Sequence, residues 1–216
     1  MTAEATTRTP VEMFFDPTCP WAWMTSRWLQ EAAELRDLDV TWSLMSLAAL
    51  NEGRDLPEDY ATAMDHAWGP ARVISAAVAA HGQEVSKPLY DAMGERFHPG
   101  GRGNVEEGPA VIAESLAEVG LPAELAEVAF PEGVGTVPED EITADLRTRQ
   151  QRVVDLVGGE VGTPVIALEG TAFFGPVVTP APTGAEAARL WDGCVLVAST
   201  PGFYELKRTR DAGPQF

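Results

Sequence analysis

The chain has 216 residues, 33 acidic against 15 basic, and a formal net charge of −18. That length can bury a substantial core, as one domain or one carrying a large insertion, without disulfide or metal staples. A composition of 45 % hydrophobic and 22 % charged residues is ordinary for a soluble globular protein, and the acidic surplus argues against nucleic acid and anionic membrane partners, whose phosphates need Lys and Arg.

Cys19 and Cys194 are the only cysteines, so a disulfide framework is excluded. No run is long and apolar enough to span a bilayer, and the polar stretch Met1 to Pro10 lacks the apolar core of a secretory signal. A reducing, cytoplasmic setting is expected. In chain order, Val11 to Phe15 reads as a short buried strand, Asp16-Pro17-Thr18 as a turn, and a helix starts near Pro20. Trp21, Met24, Trp28, Ala32 and Leu35 fall three or four apart and predict its apolar stripe, while Trp23 lies off the stripe, free to face a cleft. Asp39 to Met45 reads as a second strand.

From Pro57 to Gly158 the pattern is helical. Tyr60, Met64, Ala67 and Trp68 keep helical spacing, and Gly69-Pro70 is expected to break or kink that helix before Ala71, Ile74 and Val78 continue it. Pro88 to Phe97, Val111 to Val119, the short Pro122 to Ala129 and the long Pro138 to Val157 follow as helices, with His98 to Gly103 a loop. Strands return at Val161 to Leu168 and Thr171 to Phe174, joined by a Glu169-Gly170 turn. A proline-rich loop leads to a last helix from Gly184 to Ala198, and the tail from Arg208 to Phe216 is expected to be loosely held. The expected class is therefore α/β: a βαβ unit and a ββα unit, residues 1–56 and 159–216, split by an all-helical insertion at 57–158. That is the layout of a thioredoxin fold with an inserted helical domain.

The chemistry-bearing feature is Cys19, placed where a strand and turn enter a helix. A helix start presents free N–H donors and the positive end of the dipole. Both stabilise a thiolate, and cysteines so placed fall to pKa values of roughly 3.5–7.5. The thiolate is the nucleophile of disulfide exchange. The bland alternative, a small buried hydrophobe, is weakened by the preceding strand and turn and by Pro20. Thr163-Pro164, approached through Gly158, Gly159 and Gly162 and followed by an apolar strand, is expected to hold a cis proline. Asp16 is equally placed to accept a proton from the thiol or to cap the turn.

Several segments resemble the DsbA-like branch of the thioredoxin superfamily, and within it the mycothiol-dependent reductases known as nitroreductases. They are Phe15-Asp16-Pro17-Thr18-Cys19-Pro20-Trp21, Thr25-Ser26-Arg27-Trp28, Met45-Ser46-Leu47-Ala48 with Leu50-Asn51-Glu52, and Ala67-Trp68-Gly69-Pro70. Val161-Gly162-Thr163-Pro164, Phe173-Phe174-Gly175-Pro176 and Phe203 to Arg210 complete the similarity, which spans nearly the whole chain. The resemblance implies a low-molecular-weight thiol, mycothiol, bound beside Cys19. Pro20, Trp21, Asn51, Tyr60, Thr163 and Pro164 would line that site, the cis proline leaving the backbone of Thr163 free to pair with the thiol. The departure is Ala22, where dithiol members keep the second cysteine that resolves a mixed disulfide. Cys19-Pro20-Trp21-Ala22-Trp23 also resembles the Ser-Pro-Tyr-x-Trp-like pattern of kappa-class glutathione transferases and chromene-carboxylate isomerases, which need no partner at the fourth position.

Cys194 falls on the apolar stripe Ala187, Leu190, Trp191, Cys194, Val195, Ala198 and reads as a packed core cysteine rather than a substitute resolving thiol. His66 and His81 read as surface or core histidines, while His98 precedes a glycine-rich loop able to border the cleft. No spacing suggests a metal site. The expected function is a monothiol oxidoreductase in which Cys19 attacks a disulfide or electrophilic substrate and a free small thiol resolves the adduct. The alternatives are a thiol-cofactor transferase or isomerase, and a ligand-binding protein without redox activity.

Overall fold

The computed structural model describes residues 8–168 and 170–216. Its sheet has four strands: β1 (Thr9–Phe15), β2 (Leu38–Leu44), β3 (Val165–Leu168) and β4 (Thr171–Phe174), in the order β2-β1-β3-β4. β1 and β2 are parallel, joined by α1 (Pro20–Arg36), while β3 runs antiparallel to β1 and to β4. Every element between β2 and β3 is helical: α2 (Leu47–Asn51), α3 (Glu58–His81), α4 (Ser86–Phe97), α5 (Gly108–Glu118), α6 (Glu141–Val157) and two short 3-10 turns. α7 (Gly184–Ala198) follows β4 and packs on α1. This is the thioredoxin fold with a large helical insertion that the order of elements predicts.

The period of two along β1 divides the core. Val11, Met13 and Phe15 enter the main cluster with Trp28 and Leu29 of α1, Tyr90 of α4 and Trp191 of α7. Phe14 points the other way and meets Met45, Val165 and Val153 of α6 in a second, smaller cluster. The sheet is thus covered on both faces, and its central strand β1 ends at Phe15, just before the turn that carries Cys19.

Three local expectations need correction. Of the break or kink expected at Gly69-Pro70, the break is absent: α3 runs through both residues as one helix. A Cβ on Gly69 would stand 2.2 Å from Cζ of Phe130, so this glycine serves close approach rather than a break, and the surrounding buried residues outweigh the proline's lost hydrogen bond. Leu35 is 47 % exposed and Trp21 half-buried, whereas Trp23 is 2 % exposed. α1 is covered by the sheet, by α7 and by side chains of α4, so its buried arc is wider and rotated from the single stripe. Trp23 therefore faces the core: it packs edge-on against Tyr90, and a Cβ on Gly94 would lie 2.2 Å from its ring. β3 begins at Val165, after the proline, rather than at Val161. The Glu169-Gly170 turn is only half within the described residues, because Glu169 lies outside them.

Candidate active site

Cys19 is the N-cap of α1, with Pro20 in the first turn where its missing N–H costs nothing. The preceding turn is fixed by Asp16, which is fully buried. Its Oδ1 accepts from Thr18 N at 2.8 Å and Thr18 Oγ1 at 2.7 Å, and its Oδ2 accepts from Leu47 N at 2.7 Å. Asp16 is thus the cap, tying the Cys19 turn to the start of α2, and both carboxylate oxygens are occupied. Burial raises its pKa against these donors.

Cys19 is 7 % exposed, and its sulfur sits between two backbone groups. It accepts from Ala22 N at 3.5 Å and donates to Thr163 O at 3.5 Å. Thr163-Pro164 is cis, and Thr163 Oγ1 donates to Phe14 O at 2.9 Å, holding this carbonyl against β1. The thiol differs from its expected ionisation. Burial pushes it up to about 12; the N–H groups of Ala22 and Trp21 and the charge of Arg210 pull the other way, and Asp16 adds to the rise. In this conformation the helix start does not win, because a thiolate taken out of water loses more than a few N–H donors return. Cys19 rests as the neutral thiol donating to Thr163 O.

Asn51, the last residue of α2, and Tyr60, in the first turn of α3, come together: Asn51 Nδ2 donates to Leu47 O at 2.8 Å and lies 3.4 Å from Tyr60 Oη. Tyr60 is 40 % exposed. Burial raises its phenol pKa, and the charges of Asp16 and Cys19 raise it further, which places Tyr60 within electrostatic reach of the thiol. Pro20 and Trp21 are half-buried at the same mouth, and Thr163 and Pro164 are buried behind the sulfur. Of the seven residues singled out from the sequence, Cys19 meets Thr163 of the cis Thr163-Pro164 bond, Pro20 and Trp21 follow it in the first turn of α1, and Asn51 and Tyr60 meet each other within electrostatic reach of the thiol. The polar groups at Asn51 and Tyr60 are uncharged, and no group of His, Cys, Asp and Glu among the described residues could hold a metal.

His98 is 8 % exposed, and its Nε2–H donates to Pro17 O at 3.1 Å, bracing the Cys19 turn from the side. Burial drives its pKa down to about 4, so the ring is neutral. His66 is half-buried beside Phe130 and His81 is exposed at the end of α3; neither reaches the site. Cys194 is half-buried at the margin of the core rather than inside it, and burial pushes its thiol up to about 11. The tail, exposed over most of its length, makes three contacts with the rest of the protein. Arg210 Cζ lies 4.9 Å from the Trp21 ring centroid, Gln215 N donates to Thr179 Oγ1 at 2.8 Å, and the Phe216 ring is 5.6 Å from that of His98. Arg210 and Phe216 had no periodicity to betray them, although Arg210 closes the last of the resembling segments.

A family model described as Rv2466c-like, mycothiol-dependent nitroreductase Rv2466c, matches residues 18–208. The chain belongs to this family. The Rv2466c-like family is one of oxidoreductases, and Cys19, Trp21, Asn51, Tyr60, Thr163 and Pro164 all fall within the matched span, with Arg210 just beyond its end. A curated relative, the uncharacterized protein Rv2286c of Mycobacterium tuberculosis, is 29 % identical over 202 residues, covering 94 % of this chain and 83 % of that protein. Among solved structures, a probable DsbA oxidoreductase, SCO1869 from Streptomyces coelicolor, aligns at 15 % identity over 94 % of this chain and 95 % of that one, with a TM-score of 0.56. The cytosolic disulfide reductase DsbM from Pseudomonas aeruginosa with GSH aligns at 18 % identity over 87 % of this chain and 99 % of that one, with a TM-score of 0.51. A 2-hydroxychromene-2-carboxylate isomerase aligns at 14 % identity over 87 % and 93 %, with a TM-score of 0.51. At these identities the structures share the DsbA-like fold.

Proposed function

We propose that the protein is a thiol-dependent oxidoreductase in which Cys19 is the single nucleophile and mycothiol the resolving thiol, working in a reducing, cytoplasmic compartment. The observation that carries this reading is Cys19 Sγ at the start of α1, held between Ala22 N and Thr163 O, with an alanine where a second thiol would stand. The family description supports mycothiol. So does the chemistry of the cleft: Asn51 and Tyr60 offer neutral amide and hydroxyl groups, suited to an uncharged, hydroxyl-rich thiol.

Access of water or substrate to the sulfur lets Cys19 lose its proton to solvent, and the N–H groups of Ala22 and Trp21 receive the negative charge. The thiolate attacks one sulfur of a disulfide; a bond from Cys19 to that sulfur forms, the substrate S–S bond breaks, and the other sulfur leaves as a thiolate. Thr163 O, no longer accepting from the thiol, is free to accept an N–H from the bound thiol's amide. Mycothiol, when bound, would supply the second thiol: its attack on the substrate-derived sulfur of the adduct would free the Cys19 thiolate and leave the mycothiol sulfur in a disulfide with that substrate sulfur, the two electrons residing in the thiolate released in the first step. With alanine at position 22, no thiol stands where a local resolving cysteine would act. Trp21, Asn51 and Tyr60 bind and orient the small thiol at the cleft mouth.

The test is intact-mass analysis without reductant after incubation with mycothiol disulfide. An adduct of one mycothiol that vanishes in Cys19→Ser is expected. No adduct, together with conjugation of electrophiles, would instead assign a transferase or isomerase; saturable ligand binding with neither activity would assign a binding protein.

A further inference from the structure

The C-terminal segment after α7 has no regular secondary structure, yet two of its contacts fall on or beside the Cys19 turn and a third ties it to the loop after β4. Arg210 lies on Trp21, two residues past the thiol. Gln215 is tied by its backbone N–H to Thr179, in the loop after β4. Phe216 lies against His98, which also holds Pro17 of the same turn. The segment therefore passes the turn at its helix side and returns at its loop side.

The charge of this segment is as unusual as its path. In a chain of net charge −18, Lys207-Arg208-Thr209-Arg210 sets three cations within four residues. Most arginines are engaged by carboxylates, as Arg27 is by Asp91, Arg72 by Asp140 and Arg147 by Glu52 and Glu139, while Arg54 is held by the carbonyl of Gly159. Among the described residues Arg210 has no carboxylate partner; its charge is held by the face of an indole, which leaves it unneutralised.

Several titratable groups face the thiol. Asp16 comes from the turn, Tyr60 from α3, Tyr90 from α4 and Arg210 from the tail. Burial raises the pKa of Asp16 and of both phenols, and His98, bracing the turn, is held neutral. Arg210 is the one cation acting on Cys19 among these groups, and its charge favours the thiolate while Asp16 opposes it.

We propose that Arg210 is a positioning residue of the thiol site: the tail, anchored by Gln215 and Phe216, holds its guanidinium on Trp21 as the counter-ion of the Cys19 thiolate. The proposal rests on the reading of Cys19 as the nucleophile. A positive charge near a developing thiolate favours its ionisation, and because Arg210 is exposed solvent screens part of that attraction, leaving an expected change of about three- to tenfold in the thiolate fraction. Arg210 thus supplies, from the far end of the chain, part of the stabilisation that burial takes from the helix start.

The experiment measures the rate of Cys19 carboxamidomethylation by neutral iodoacetamide from pH 7 to pH 10, by intact mass, in a Cys194→Ser background. Below the thiol's pKa this rate follows the thiolate fraction. Arg210→Gln is expected to slow the reaction about three- to tenfold across the range, and Arg210→Lys to restore most of it. A tail that merely packs would give the opposite sign, because loosening it exposes the sulfur and speeds alkylation. An Arg210→Gln rate equal to or above that of the parent, or an Arg210→Lys rate as low as Arg210→Gln, overturns the proposal. Its fate is separable from that of the parent reading. If mycothiol disulfide labels Cys19 but Arg210→Gln alkylates normally, only the role of Arg210 fails. If no adduct forms but Arg210→Gln still slows alkylation, only the oxidoreductase reading fails.

Discussion

His98→Gln tests how the Cys19 turn is braced. The His98 ring is 8 % exposed, donates from Nε2 to Pro17 O, and lies 5.6 Å from both Trp23 and Phe216. Burial holds its pKa at about 4 against an ordinary 6.5. A base whose folded pKa is depressed binds its proton more readily in the unfolded chain. Its contribution to stability is therefore complete above about pH 6.5 and is lost as the pH falls toward 4. Between pH 7 and pH 4.5 that loss amounts to about 2 kcal/mol, for a shift of this size. Other groups also respond to acid. Asp16, with its raised pKa, acts in the opposite sense, while Glu114, held down to about 2 by Arg102 and Arg96, titrates below this window. The difference between parent and variant isolates His98, because a glutamine amide reaches the same carbonyl and does not titrate. Urea unfolding followed by tryptophan fluorescence at half-unit steps from pH 7.5 to 4.5 gives both stabilities. The parent should lose about 2 kcal/mol more than His98→Gln across the window. Parallel curves would show that His98 is hydrated or already charged, and that the brace on Pro17 is not a buried neutral ring.

Two further outcomes follow from the same neighbourhood. Gly94→Ala places a Cβ 2.2 Å from the Trp23 ring and should destabilise by about 1–3 kcal/mol through overpacking, read as a lower urea midpoint with unchanged slope; a midpoint equal to the parent's would mean that α1 and α4 are not packed this closely. Ala22→Cys puts a thiol at the residue whose backbone N–H already meets Cys19 Sγ at 3.5 Å. Mild oxidant should then close a disulfide between Cys19 and the introduced thiol, seen as the loss of two free thiols by mass after alkylation, and persistent free thiols would refute the helix-start geometry.

Much of the site was legible because it is local. A strand, an Asp-Pro-Thr turn, a cysteine and a proline in sequence can hardly be arranged other than with the cysteine as N-cap of the following helix, and Cys19 sits there. The alternation along β1 and the helical spacing through the insertion likewise sorted most core residues without knowledge of their partners. Where the reading slipped, a second neighbour had entered. Trp23 lies off the stripe of an isolated α1, but α4 packs on that side and takes it into the core. Gly69-Pro70 reads as a break or kink, but Phe130 fills the space that only glycine leaves, and α3 continues without a break.

The sequence by itself determined the order of strands and helices, the place of the single thiol at a helix start, and the lack of a partner at Ala22, because each depends on residues a few positions apart. The tertiary structure alone decided the ionisation of that thiol and the company it keeps. Burial is a property of the whole fold, and it reversed the expected acidity of Cys19. The carbonyl of Thr163, the ring of His98 and the guanidinium of Arg210 reach the turn from distant parts of the chain. No local spacing encodes such meetings, since they exist only once the sheet has brought β3 beside β1 and the tail has crossed back over α1.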